Sequence, residues 1–473
     1  MQTIAEKVGT YAASLRYEDL PAEVIHQVKR TMIDTLACAF GGYDSEPSRI
    51  ARELAGLVTS DEPATLLVSG WKTSMDLAAF ANDVMVRYLD FNDGDISKGG
   101  GHPSDSIAAL LAAGEVARAD GRALILATVL AYEIYGRFSD VLEYKALGID
   151  HATIGGLASV VGAAKLLGLT ERQIVEAVNL YVVGNVALNQ TRIGNLSAWK
   201  ACAYGNANRN AIFAVQLAAR GMAGPTPVFE GRNGFFKVAS DGPFELAVFG
   251  GKGEPFRIMR THFKQFALCN FAQTMVGAIL QARPWVRDIA DIAELRVGVS
   301  QKAINMMADD PAKWRPDNRE TADHSIPYTA AVALKYGSVE PCHFEEQYLR
   351  NEELLELASR VACHVHEEAT RRDAELNLCE LELVLRSGER TTVRVDYHRG
   401  HWKNPMSDEE VAEKLRSLAK PMFPQAQIDA LVDQLWALER VPDVRALIRL
   451  MVRPDRAVAA QPDAKRASQP ATA

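Results

Sequence analysis

From Ile4 to about Ala223 the chain runs through one apolar stretch after another at helical spacing, rich in Ala and Gly, and helices built from such small residues pack closely. That pattern commits the first half of the chain to a helical mass. The longest apolar run, Ala123 to Tyr132, is far too short to cross a bilayer and reads as a buried helix. Thr170-Glu-Arg-Gln173 has the form of a capping box, in which hydroxyl and amide satisfy each other's free backbone donors. The helix it opens, Ile174 to Ala187, is apolar nearly all round and is placed inside the mass. A further helix from Asn206 to Arg220 stops at Gly221, with Gly224 and Pro225 completing the break.

After about Cys269 the period changes. Glu294 to Ser300 alternates like a half-buried strand, and Leu378 to Arg386 and Thr391 to Tyr397 form a hairpin through Ser387-Gly388-Glu389. Short helices, Ser325 to Tyr336 and Glu352 to Arg360, lie between them. A second capping box, Ser407 to Glu410, brings helical patterning back as far as Val452. The expected fold class is therefore mainly α: a large all-helical domain formed by both chain ends plus an inserted smaller α+β domain able to act as a lid. The divisions are residues 1–268 and 401–452 for the helical domain, 269–400 for the lid, and 453–473 for a disordered tail rich in Ala, Pro, Gln, Lys and Asp.

Composition narrows the function classes. A 473-residue chain with 48% hydrophobic and 24% charged residues is a soluble globular protein of more than one core. Its net charge of −8, with basic residues scattered, argues against nucleic acid or an anionic membrane as partner. Cys38, Cys202, Cys269, Cys342, Cys363 and Cys379 show no paired metal spacing, and the N-terminus lacks a signal-peptide pattern, so reduced thiols in a cytoplasmic protein are expected. Gly250-Gly-Lys-Gly253 is not a phosphate loop and no G-x-G-x-x-G follows a strand, so nucleotide, nicotinamide and flavin are unsupported.

The chemistry concentrates on the loop from Tyr88 to Asp105, which carries Asp90, Asp93, Asp95 and His102 among Gly99, Gly100 and Gly101. Pro103 fixes the turn before the apolar helix Ile107 to Ala117, which Ser104 or Asp105 is expected to cap. An imidazole beside carboxylates and a helix N-terminus suits proton transfer near neutral pH. A second cluster runs from Gln190 to Lys200, where Lys200 beside Trp199 suggests an ammonium in a partly apolar wall that binds a carboxylate; a surface lysine is the plainer reading. Lys264 lies in a third, Thr261 to Gln265, and Asp323-His-Ser-Ile-Pro-Tyr328 forms a fourth, in which Ser325 also suits a cap and Tyr328 a packing role. His151 opens the helix Ala152 to Leu167. His364 and His366 share a strand face with Glu368, and a polar face turned to solvent explains them as well as a metal does.

These clusters together resemble the MmgE/PrpD family of 2-methylcitrate dehydratases, cis-aconitate decarboxylases and iminodisuccinate epimerases. The likeness extends to about residue 450 and rests on Leu89-Asp-Phe-Asn-Asp with Gly101-His-Pro-Ser-Asp105, on Trp199-Lys200, on Phe229-Glu-Gly231 with Gly234-Phe235, on Lys264 and on Asp323 to Tyr328. The resemblance implies a homodimer without metal or organic cofactor, acting on a small di- or tricarboxylate. It places the active site on Asp90, His102, Lys200, Lys264 and Tyr328, with Asp93, Ser104, His151, His324 and Ser325 as substrate-binding residues. The roles expected are carboxylate clamps for Lys200 and Lys264, the acid/base for His102 oriented by Asp90, and a second proton donor for Tyr328. The activity implied is dehydration of 2-methylcitrate or citrate, the His-Pro-Ser-Asp form being more like the dehydratase branch. Epimerisation of an iminodisuccinate-like dicarboxylate, decarboxylation of cis-aconitate and a non-enzymatic relic of the fold are the alternatives. One position departs from the family: Gly94 stands where Thr is common, with Ser97 the nearest hydroxyl to replace it.

Overall fold

A computed structural model describes residues 2–454, so the expected tail lies, from residue 455 on, outside the described residues. Among these residues the chain forms twenty α-helices and only small sheets, a mainly α fold. Buried side chains fall into two large apolar clusters. The first joins residues from Ile4 to Phe263 with residues from Met406 to Met451, so the returning helices share the core of the N-terminal ones. The helix Asp408–Ala419 packs on Ala22–Gly41, and Val444–Leu450 packs on Ile107–Ala117. The second cluster runs from Phe266 to Leu383.

Local sequence accounts for most element ends. Thr170 accepts from the Gln173 amide and Ser407 from the Glu410 amide, each within a complete capping box. The small residues of Ala152–Leu166 permit close approach: a Cβ on Gly155 would stand 2.1 Å from the Tyr204 ring, and one on Gly156 1.9 Å from the Tyr181 hydroxyl. Two expectations are corrected. The helix Glu171–Gly184 buries one face, but Val183 is 58% exposed, and Val186 and Leu188 beyond its end are exposed too. Ser104 and Asp105 do not cap Ile107–Ala117; a 3₁₀ turn, Pro103–Ser106, leads into it, and both side chains accept from the Asn92 amide instead.

In the second unit four strands lie in the order Val361–Val365, Ile292–Val299, Cys379–Leu385, Arg390–Val395. The first pair is parallel, and the expected hairpin supplies the last, antiparallel pair. Two crossings connect the units and run side by side, with the Phe263 amide donating to the Gly400 carbonyl at 2.9 Å. Around them three buried imidazoles pack, His262 within 5.0 Å of His398 and His401 within 5.8 Å of His398 between ring centres.

Burial lowers His398 to about 3 and His401 to about 4, against an ordinary value of 6.5. Both are neutral in the fold and protonate freely when unfolded, so the stability they contribute is complete above pH 6.5 and is lost as pH falls from there toward 3. Asp93 and Asp105, raised by burial to about 7, act in the opposite sense, so the variant must be compared with the parent. Urea midpoints taken between pH 7 and pH 5 should fall less steeply for His398→Asn than for the parent, the difference approaching about 1.4 kcal/mol per pH unit below the free histidine pKa. Equal slopes would show that His398 is already protonated in the folded protein.

Candidate active site

The loop after the helix Met75–Tyr88 is bent by Asp90, whose φ of 48° is left-handed, a conformation that a non-glycine residue keeps only under strong constraint. Beyond it, Gly94–Asp95 pairs antiparallel with Thr261–His262, which joins the loop to the first crossing. Gly100 and Gly101 have φ of 69° and 114°, and a Cβ on Gly101 would stand 1.9 Å from the Tyr135 hydroxyl. The loop therefore forms one wall of a cleft of about 910 Å³, counting its open mouth, a size suited to a small molecule. Cys269, Asn270, Phe271, Met306 and His324 from the second unit form the facing wall.

At the bottom lies the Asp90 carboxylate. Its Oδ1 accepts from Arg87 Nη1 at 2.7 Å and from Lys264 Nζ at 2.5 Å, and Lys264 also donates to the Asp90 carbonyl at 2.8 Å. Its Oδ2 lies 3.8 Å from Lys200 Nζ and 3.4 Å from His324 Nε2. Burial alone would raise this carboxyl, but Arg87, Lys264 and Lys200 outweigh burial and hold it well below the carboxylate range. Lys200 is itself caged, 2.8 Å from Asp323 and 2.9 Å from Glu320. Both lysines are fully buried and neither lines the cleft, which corrects their role as direct carboxylate clamps and the apolar wall expected for Lys200. Their charge acts through Asp90 and Asp323.

Three imidazoles face the cleft: His102, His151 and His324. His102 Nδ1 stands 2.6 Å from the Asp93 carbonyl, which can only accept, so Nδ1 carries the proton and the neutral ring presents a bare Nε2. Burial, then Arg87 and Lys264, keep this imidazole well below its ordinary pKa. Asp90 lies 3.8 Å from Nε2 and is not the orienting group; the Asp93 backbone is. The Asp90 charge instead opposes the lowering of this imidazole, since it favours the protonated ring. His324 donates from Nδ1 to Asp323 at 2.6 Å. His151 leans edge-on to His102 at 5.4 Å, is lowered to about 3 by burial, and keeps Nε2 without a protein partner.

The other expected site residues lie outside the cleft. Tyr328 donates to the His343 carbonyl at 2.7 Å and packs near Phe344, so it is not a proton donor to the site. Ser325 donates to the Lys313 carbonyl and caps its own helix. The Asp93 carboxylate accepts from Tyr132 at 2.6 Å and from the Ser104 amide at 3.1 Å, so both residues support the loop from behind. Sequence reasoning missed Arg87, which pairs with Asp90 at i,i+3 and approaches Asp105 to 3.8 Å; an arginine in the last turn of an apolar helix was its signal. It also passed over Arg192, paired with Asp150 at 2.8 Å, and Lys145.

Two domain profiles match the sequence: the MmgE/PrpD N-terminal domain over residues 6–247 and the MmgE/PrpD C-terminal domain over residues 266–438. The chain belongs to the MmgE/PrpD family. Its relatives include a 2-methylcitrate dehydratase of Cupriavidus necator, 28% identical with 90% of this chain and 93% of that protein covered. A cis-aconitate decarboxylase of Homo sapiens is 25% identical, with 96% of this chain and 95% of that protein covered. An alkylcitrate dehydratase from a fungal species is 26% identical, with 86% and 85% covered. Against this MmgE/PrpD background Gly94 has a steric reason, since any Cβ there would meet His262 Nε2 at 2.5 Å. Ser97 lines the cleft and accepts from the Gly100 amide at 3.0 Å, which leaves its proton available.

Among the described residues, Asp90, Asp323 and His324 are the group whose ligand atoms come close enough to share a metal ion. Lys200, Lys264 and Arg87 already supply the positive charge around them. Of the alternative set, Glu368 pairs with Arg394 at 2.8 Å and His366 Nδ1 caps its own helix, so these two are committed elsewhere. Because the cage is reciprocal, Lys200→Met strands two buried carboxylates and should lower the unfolding free energy by about 3–5 kcal/mol. Adding Glu320→Gln and Asp323→Asn should return part of that loss in urea titrations; a stable single variant would mean the carboxylates need no cation.

Proposed function

We propose that this chain is a hydro-lyase that removes water from a small 2-hydroxy tricarboxylate, 2-methylcitrate or citrate, by acid/base elimination without a metal or organic cofactor. The observation that carries the reading is His102: neutral, gripped at Nδ1 by the Asp93 carbonyl, with Nε2 bare toward a cleft whose floor is rich in cations. Elimination beside a carboxylate needs a base for the α-proton, positive charge for the carboxylate that gathers electron density, and a donor to the leaving hydroxyl. His102 Nε2 takes the α-proton, and the nearby Asp90 carboxylate stabilises the resulting imidazolium. Arg87, Arg192 and Lys145, which line the cleft, supply the positive charge for the substrate carboxylates. Ser97, which lines the cleft with its hydroxyl proton free, is the donor to the leaving hydroxyl, and that hydroxide with the proton held on His102 makes up the water lost. Relatives named as dehydratases of methylcitrate and alkylcitrate support the same chemistry.

The assembly proposed is a homodimer in the cytoplasm, with the second unit acting as a lid over the cleft. No described helix is long and apolar enough to cross a membrane. Val183, Val186, Leu188, Ile193 and Trp199 are exposed apolar side chains on one stretch of chain beside the cleft residues Asn189 and Arg192, a face suited to a second copy.

Citrate, 2-methylcitrate, cis-aconitate and an aspartate-derived dicarboxylate followed by NMR in D₂O separate the readings. Vinylic signals from a hydroxy acid denote dehydration, loss of a carboxyl carbon denotes decarboxylation, and deuterium exchange alone denotes epimerisation. Dehydration should survive EDTA, and His102→Gln should lower turnover by about 10²-fold to 10⁴-fold with the fold intact. A His102→Gln enzyme at parental speed removes His102 as the base.

A further inference from the structure

The charged groups of the cleft are almost all matched within the protein. Glu143 and Asp373 flank Lys302 at 3.3 and 3.2 Å, Asp150 holds Arg192 at 2.8 Å, and Asp95 holds Arg257 at 2.9 Å. Lys145 is the exception. It follows the helix Gly121–Val141, is an exposed residue, and sends its ammonium across the cleft to the second unit, 5.0 Å from the centre of the Phe271 ring and 3.9 Å from Met306 Sδ. No carboxylate among the described residues comes within ion-pair distance of it. Lys98, the other lining lysine without one, turns to the Val141 carbonyl at 3.4 Å.

A π face and a thioether are weak partners for a full positive charge, and an entering carboxylate would displace both. The contacts also connect Lys145 to the floor of the cleft through the facing wall. The Cys269 amide donates to the Asp323 carbonyl at 2.9 Å, Cys269 Sγ lies 3.6 Å from Met306 Sδ, and Met306 touches Lys145. The ammonium is therefore separated from the floor by two side chains of the facing wall.

Resting on the tricarboxylate reading above, we propose that Lys145 receives a substrate carboxylate remote from the carbon that His102 deprotonates, and so selects tricarboxylates over dicarboxylates. Because Lys145 bridges from the helical unit to the second one, a bound carboxylate would also tie the walls together. Burial lowers this ammonium to about 8, with Cys269 and Asp150 opposing and Lys302 and Arg192 reinforcing the shift. Affinity for the remote carboxylate is then full below that pH and declines above it.

Tricarballylate carries three carboxylates and no hydroxyl, so its binding is read by calorimetry whether or not the enzyme dehydrates anything. Lys145→Met should weaken it by about 10-fold or more, the worth of a charge-assisted hydrogen bond. Lys145→Arg should bind near the parental level and lose the decline above pH 8. Glutarate, with two carboxylates, should bind parent and Lys145→Met equally. Parental tricarballylate affinity in Lys145→Met, an equal loss for both ligands, or no binding by the parent would overturn the inference. Dependence on Lys145 without dehydration of any hydroxy acid would leave the inference standing and remove the hydro-lyase reading.

Discussion

The buried charge of Asp90 is the constraint on which the rest depends. A carboxylate at 1% exposure is sustained only where cations surround it, and those cations come from separate stretches of chain. Arg87 reaches it from the preceding helix, Lys264 from the crossing between the units, and Lys200 from the start of Trp199–Ala219. Lys200 in turn needs Asp323, on the loop before the helix Ile326–Tyr336 of the second unit. The two apolar cores are thus joined by an ionic network that neither could satisfy alone. The left-handed backbone of Asp90 is held in the same way, since Lys264 grips its carbonyl and carboxylate together.

The network also sets the chemistry. Burial disfavours protonation of His102, and Arg87 and Lys264 add to it, so the resting imidazole is neutral. Asp90 lies near the same ring and acts in the opposite sense, which becomes useful only after a proton has been taken. On the proposed hydro-lyase reading, these two effects give a base that is neutral at rest and stabilised when charged, as abstraction beside a carboxylate requires. Lys414 extends the arrangement to the returning helices, its ammonium reaching Asp34 at 2.6 Å and the Phe91 carbonyl at 2.7 Å. The C-terminal helices therefore brace the floor of the cleft as well as closing the core.

Gly94 shows how one residue of the loop answers to a distant one. A Cβ on Gly94 would meet the His262 ring, 2.5 Å from Nε2, so the side chain at 262 bears on what position 94 can hold. His262 in turn belongs to a group of buried imidazoles at the crossings. Loop composition and crossing composition are coupled through that contact.

What the sequence determined by itself was local. Capping boxes at Thr170 and Ser407, the helix Ile107–Ala117 and the hairpin through Ser387-Gly388-Glu389 follow from residues a few positions apart, whose hydrogen bonds and period are set before any tertiary contact forms. The loop from Tyr88 to Asp105 was legible as a site for the same reason: its acids, imidazole and glycines are neighbours in the chain. Which way each group faces was not. Lys264 meets Asp90 across 174 positions and Lys200 meets Asp323 across 123, and those meetings turned two expected clamps into the inner supports of a buried carboxylate. Tyr328 turned to a carbonyl on its own unit, and the helix Glu171–Gly184 left an apolar face outside, because side-chain direction depends on what packs opposite. Only the tertiary structure, by deciding which charges share one dry space, kept the His102 ring neutral at rest and left Lys145 with a ring and a thioether in place of a carboxylate.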